Sequence, residues 1–305
     1  MKNNLTSVTE LQSWLADLPR NTQKRPYTAV LDVKYLGGDV NAPGSVGSVL
    51  AATKTKYVNL DLSAGTIAGI TDNAFSGCTS LTGIIIPATV TGIGEEAFSG
   101  CSNLASVSLP TRLDYIGYLA FDRCTSLTAI TIPSGVTVMR DFAFEGCTSL
   151  ASIIVDPANA AYSSVDGAAY DKAQTTITHY PIGKAGPFVI PSSVTHIGAG
   201  AFFGCAGLTG ITIPDSVTHI GEGAFSRCRN LTSITIPASV THIAEKAFNH
   251  CENLNSVTFN GTITQANFTR SAFTDNLYIR FYSKNPACGT PGTYDGIQGQ
   301  TFDFI

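Results

Sequence analysis

The sequence predicts a repeat solenoid, a stack of near-identical coils, and three observations carry that prediction. Cys78, Cys101, Cys124 and Cys147 stand 23 residues apart, and Cys205, Cys228 and Cys251 resume the same step. Three residues before each is a phenylalanine (Phe75, Phe98, Phe121, Phe144, Phe202, Phe225, Phe248), and three after each is a leucine (Leu81, Leu104, Leu127, Leu150, Leu208, Leu231, Leu254). Alternating branched residues follow, as in Ile84/Ile86, Ile130/Ile132 and Ile234/Ile236, and end at Pro87, Pro133 and Pro237. A coil this small cannot bury its own apolar edge, so it must stack on its neighbours.

Along the chain, residues 9–18 offer an amphipathic helix (Leu11, Trp14, Leu15, Leu18) stopped by Pro19, followed by a strand over 27–35 and a short helix over 46–52. Residues 1–56 therefore read as an N-terminal helix and strand cap. The repeat array occupies 57–282. Within each coil, Ile/Val/Thr alternation bounded by proline reads as a strand that ends where Pro removes the ladder donor, giving one parallel sheet along one face. Val90 and Ile93, and their equivalents Leu113/Ile116 and Val217/Ile220, carry the core across a second side. The Ala-Phe pair and the Cys make a short helical turn back to the next strand, because residues three apart share a face.

The array is interrupted once. Cys147 and Cys205 lie 58 residues apart, two periods and twelve residues more. The extra residues fall between about Asp156 and Pro187, where Asp166-Gly167 and residues 183–186 give turn chemistry and residues 175–180 and 188–190 are β-rich, so a variant coil at about 156–190 is read as carrying a protruding hairpin. Residues 277–282 read as the last strand, and 283–305 as a C-terminal tail or cap.

Charged residues are only 13% of the chain and the formal net charge is −4. No basic field exists to hold nucleic acid or anionic lipid. No apolar run is long enough to span a bilayer, and the first residues lack the apolar core of a signal peptide. Nucleophile-elbow, phosphate-loop and H-E-x-x-H signatures are absent, which argues against an enzyme and gives no catalytic or cofactor-binding residue. Gly198-Ala199-Gly200 and Gly221-Glu222-Gly223 recur with the period and read as repeat turns.

The unit Ala-Phe-x-x-Cys-x-x-Leu-x-x-Ile-x-Ile-Pro-x-x-Val-x-x-Ile-Gly, as in residues 201–221, resembles the BspA-like branch of leucine-rich repeat proteins. The likeness covers about residues 57–282 and extends to the variant coil through Tyr162, Asp166-Gly167, Tyr180-Pro181 and Gly183-Lys184. It implies a secreted or cell-surface bacterial protein, either free or a lipoprotein. Its implied role is adhesion or binding to an extracellular or host protein, without catalysis or cofactor. Two other roles stand beside it: a structural spacer, and an enzyme sited in the variant coil.

Seven cysteines at one repeat position suggest disulfides or a soft-metal column. Equivalent residues of stacked coils sit about 4.8 Å apart with parallel Cβ vectors, which suits neither a disulfide nor convergent thiolates. They read as structural: Cys78, Cys101, Cys124, Cys147, Cys205, Cys228 and Cys251, buried and reduced, with Cys288 outside the pattern. His196, His219 and His242 form a second column that could share a divalent ion, but Gly92, Tyr115 and Val138 hold the same place elsewhere, so no metal is expected. Asp156, Asp166 and Asp171 could bind Ca²⁺, although turn capping is the commoner use of Asp there. The outward strand positions, among them Thr131, Thr212 and Thr235, form an uncharged face lacking Trp, Tyr and Arg anchors. The hairpin residues Tyr162, Tyr170, His179, Tyr180, Lys184 and Phe188 are the preferred contact candidates.

Overall fold

The computed structural model describes residues 2–273 and 277–295. These fall into two compact units, residues 1–162 and 163–305. In the first, Lys2–Leu5, Tyr27–Leu31, Val58–Asp61, Leu81–Ile85 and Ser106–Ser108 pair in parallel in that order, and Ala129–Ile132 pairs in parallel with Ser152–Val155. The register advances by one coil per strand, as in Ile84↔Val107 and Ile130↔Ile153. Two of these strands come from residues 1–56, so that segment supplies sheet as well as helix. Its helices are α1 (Val8–Asp17), capped by Ser7, whose hydroxyl accepts from the Glu10 amide at 3.2 Å, and α2 (Val46–Ala52), capped by Ser45.

The alternation works as expected. Ile130 and Ile132 point inward and are buried, while Ala129 and Thr131 face solvent. Between residues 58 and 264 no helix forms. The expected helical turn is a single turn closed by Cys N–H donating to the Phe carbonyl three residues back, at 3.1 Å for Cys101 and 3.2 Å for Cys124. The side beyond the proline is itself a sheet: Gly69–Ile70, Gly92–Ile93, Tyr115–Ile116 and Val138–Met139 pair in parallel. Ile93 and Ile116 are each followed by a glycine that the stacking requires, since a Cβ on Gly117 would come within 2.6 Å of the Gly94 backbone.

Between the layers runs a phenylalanine ladder. Phe75, Phe98 and Phe121 stack at 5.2 Å centroid spacing within 9° of parallel. Each Phe amide donates to the alanine carbonyl of the next coil, as Phe98 to Ala120 at 2.8 Å, which locks the spacing. Burial of each ring contributes roughly 1.5–3 kcal/mol.

The second unit repeats the plan. Leu208–Thr212 pairs in parallel with Gly186–Val189, Ser233–Ile236 pairs with Ser256–Phe259, and His196–Ile197, His219–Ile220 and His242–Ile243 form the short-strand sheet. Phe202, Phe225, Phe248 and Phe273 continue a ladder at 4.6–5.1 Å.

Two expectations are corrected. The variant coil does not protrude. Ala168–Asp171 and Thr176–His179 form an antiparallel hairpin, and Thr176–His179 then pairs in parallel with His196–Ile197, so the hairpin is a member of the short-strand sheet. Its apolar content demands this, because Ala168, Ala169 and Ile177 have no exposed surface. The other correction is α3: Leu277–Tyr282 is a helix, not a strand. Leu-Tyr-Ile-Arg-Phe-Tyr alternates like a strand, but a helix puts Leu277 and Phe281 on one buried face, packing the Phe281 ring 4.3 Å from Phe259 and 5.6 Å from Phe268. Gly292–Asp295 closes this end by pairing antiparallel with Ser256–Phe259, and residues 296–305 lie outside the described residues.

Candidate functional site

The expected contact residues of the hairpin separate by burial. Tyr170, Tyr180, His179 and Phe188 are 1, 5, 6 and 8% exposed, so they are core and cannot anchor a partner in the folded protein. Tyr180 fills the phenylalanine slot of its coil: its amide donates to the Ala201 carbonyl at 2.8 Å and its ring lies 4.9 Å from Phe202. Phe188 packs on both at 4.7 and 5.9 Å. Lys184 remains half-exposed, yet its ammonium donates to the Asp166 carbonyl at 2.6 Å and lies 5.7 Å from the Tyr180 and Phe188 ring centres, a packing role. Tyr162 is half-buried, with its hydroxyl accepting from the Met139 amide at 3.0 Å.

The strand-face candidates Thr131, Thr212 and Thr235 are exposed. In the first unit the same face carries Ile85 and Ile154, 44 and 47% exposed. Beside Ile85 a shallow depression of about 490 Å³ is lined by Thr28, Asn59, Asp61, Gly83, Ser106 and Ser108. Gly83 creates it, since a Cβ there would fall 2.8 Å from both Asn59 Oδ1 and Ser106 Oγ.

Sequence reasoning missed a second surface, on the short-strand sheet of the first unit. Tyr118 and Val138 are 42 and 40% exposed, and Tyr118 meets the Phe142 ring edge-on at 5.9 Å. The Tyr115 phenol beside Arg140 raises the proton affinity of its guanidinium. Leu119 and Phe142 adopt left-handed φ of 52° and 61°, an unfavourable backbone for side chains this large. The available signal was a departure from the repeat: tyrosine, leucine and phenylalanine stand where other coils place Gly92, Glu95, Glu96 and Gly223.

The repeat cysteines are buried, unpaired thiols. Most donate to the phenylalanine carbonyl of the preceding coil, Cys101 to Phe75 at 3.0 Å, Cys124 to Phe98 at 3.2 Å and Cys228 to Phe202 at 3.1 Å. Burial pushes the Cys78 and Cys251 thiols up to about 12 and raises Cys101, Cys205 and Cys228 as well. Such thiols do not supply the thiolate that a nucleophile or metal ligand requires. Near the hairpin, Asp171 accepts from the Thr175 and Thr176 amides at 2.7 and 2.8 Å and Asp156 from the Ala158 amide at 2.8 Å, the turn-capping role. Among the described residues no helix is long and apolar enough to cross a membrane.

A coil of this length, with its phenylalanine ladder and paired parallel sheets, defines a leucine-rich repeat solenoid. The chain belongs to the BspA-type leucine-rich repeat proteins, matching that region in six copies over residues 68–183 and 179–283. Among solved structures it is similar to a leucine-rich repeat protein from Eubacterium ventriosum, with 28% identity and a TM-score of 0.57, covering 68% of this chain and 61% of that one. The chain thus spans less than two thirds of that relative. A leucine-rich cell surface protein from Faecalibacterium prausnitzii matches at 25% identity and TM-score 0.54, covering 75% of this chain and 72% of that one. The pneumococcal vaccine antigen PcpA, at 19% identity and TM-score 0.57, covering 76% of this chain and 65% of that one, shares the fold. No curated protein matches the sequence.

Proposed function

We propose that the chain is a non-enzymatic, protein-binding solenoid that works at a bacterial cell surface or in secreted form and engages an extracellular or host protein in adhesion. The observation that carries this reading is the exposed long-strand face. Alternation leaves outward strand positions open to solvent, with Ile85 and Ile154 on this face and a shallow depression beside Ile85. The likeness to the Faecalibacterium cell surface protein supports the location. A second docking surface is favoured by the Tyr115, Tyr118, Phe142 and Arg140 cluster, whose residue types dominate binding energy at interfaces.

The test is binding of the full chain to a panel of purified matrix and plasma proteins, repeated with Ile85→Lys and Thr131→Lys on the strand face and with Tyr118→Ala on the flank. The strand-face reading expects the two lysine variants to lose binding at least tenfold while Tyr118→Ala keeps it. Loss confined to Tyr118→Ala moves the contact to the flank. Absence of binding to every member of the panel supports a spacer and overturns the proposal.

A further inference from the structure

Three imidazoles stand in one column on the short-strand sheet of the second unit. His196, His219 and His242 are register partners on successive parallel strands, and their rings stack at 4.5 and 4.2 Å within 16° of parallel. Each Nδ1 lies 2.8 Å from the hydroxyl of the preceding threonine, Thr195, Thr218 or Thr241. Those hydroxyls lie 3.2–3.3 Å from carbonyls of the coil before, Thr175, Thr195 and Thr218. The parallel planes hold the three rings side by side and not convergent, an arrangement unsuited to sharing one metal ion.

We propose that this histidine column is a proton-operated element, stacked while neutral and driven apart as its rungs acquire charge when the pH falls through the imidazole range. Two imidazolium rings at these spacings repel, and His219, flanked on both sides, meets that repulsion twice. Burial and then the neighbours His242 and His196 lower its proton affinity.

The charged groups around the column offer little relief. On its own coils Glu222 and Glu245 follow His219 and His242 by three residues and are exposed, with Lys246 exposed beside Glu245. On the preceding hairpin the carboxylate of Asp171 is engaged by the Thr175 and Thr176 amides and the Thr175 hydroxyl, and Lys172 is exposed. The following coil, whose Phe268 pairs with Ile243, places the uncharged Asn267 in register with His242. No carboxylate is among the groups that act on His219.

The sign follows from linkage. An unfolded His219 takes its proton near pH 6.5, above the folded one, so the column's contribution is complete above about pH 6.5 and is lost as the pH falls toward the folded value. Residue-resolved histidine NMR titration of the full chain tests this. His219 is expected to take up its proton at a higher pH in H196Q/H242Q, where its neighbours cannot be charged, than in the unmodified chain. The H196Q/H219Q/H242Q variant is expected to lose less thermal stability than the parent between pH 7.5 and 5.5. A His219 midpoint that does not move up in H196Q/H242Q overturns the proposal, and so does an equal acid loss in the triple variant.

Discussion

The coils spanning residues 78–146 and the variant coil at 156–190 solve the same packing problem with different residues. In the regular coils the rung is phenylalanine, the thiol below it donates to the carbonyl of the coil before, and stacking is nearly parallel. The variant coil has neither the phenylalanine nor the cysteine, yet Tyr180 makes the same backbone bond to the next coil that Phe98 makes, and Phe188 fills the space beside it. The stack is tilted by 33° at Tyr180–Phe202, against 3° at Phe98–Phe121. What a coil must supply is therefore a large apolar ring at one place on the backbone and a bonded amide beneath it. Residue identity at the rung is secondary.

The largest effects should come from the rungs themselves. Phe121→Ala should cost about 3–5 kcal/mol, and if the variant coil is equally part of the core, Tyr180→Ala should fall in the same range. Urea unfolding of both variants makes the comparison directly, and a cost under about 1 kcal/mol for Tyr180→Ala would separate the two regions again.

A smaller effect distinguishes the thiols. Cys124→Ser should cost only about 1 kcal/mol, because the new hydroxyl can keep the Phe98 carbonyl as its acceptor. Cys205 follows the variant coil, and among the described residues its contact of this kind is the Phe203 carbonyl at 4.0 Å. Cys205→Ser should therefore cost more, about 1–3 kcal/mol, and equal destabilisation by the two substitutions would show that the carbonyl partner does not matter.

The residues that define the repeat were legible because period, ring and thiol recur where stacking requires them. The variant coil was harder, since Tyr180 and Phe188 are aromatic, β-prone and flanked by turn residues, a composition shared by exposed hairpins and by core. Only their partners, Phe202 and Ala201 in the next coil, decide between these. The helix Leu277–Tyr282 was hidden for a similar reason, because its strand-like alternation is outweighed by the aromatic cluster of Phe259 and Phe268. The tyrosine and arginine flank went unseen because it lies on a second sheet of two-residue strands, too short to leave a periodic signal.

Thiol chemistry extends the comparison at lower amplitude. Since burial raises the Cys78 and Cys251 thiols, the folded chain keeps protons that the unfolded chain releases near pH 9, so stability should hold below that value and fall as the pH rises toward 12. Native titration with a thiol reagent at pH 8 should report Cys288 alone, the one half-exposed cysteine, and all eight after denaturation. Rapid reaction of Cys205 in the native state would mark the junction after the variant coil as open. The smallest stability change belongs to the strand face, where Thr131→Lys and Thr235→Lys should shift unfolding by no more than about 0.5 kcal/mol, as expected for exposed positions.

Native-state hydrogen exchange tests the central claim most directly, because it reads the two regions in one sample. The amides of Ile177 and Tyr180, which belong to the parallel pairing with His196–Ile197 and to the bond with Ala201, are compared with those of Phe98 and Phe121, bonded to Ala120 and Ala143. If the variant coil is a full member of the core, the two sets exchange with opening free energies within about 1 kcal/mol of each other. Exchange of Ile177 and Tyr180 faster by two or more orders of magnitude would return residues 156–190 to the status of a loosely held insertion and contradict the account.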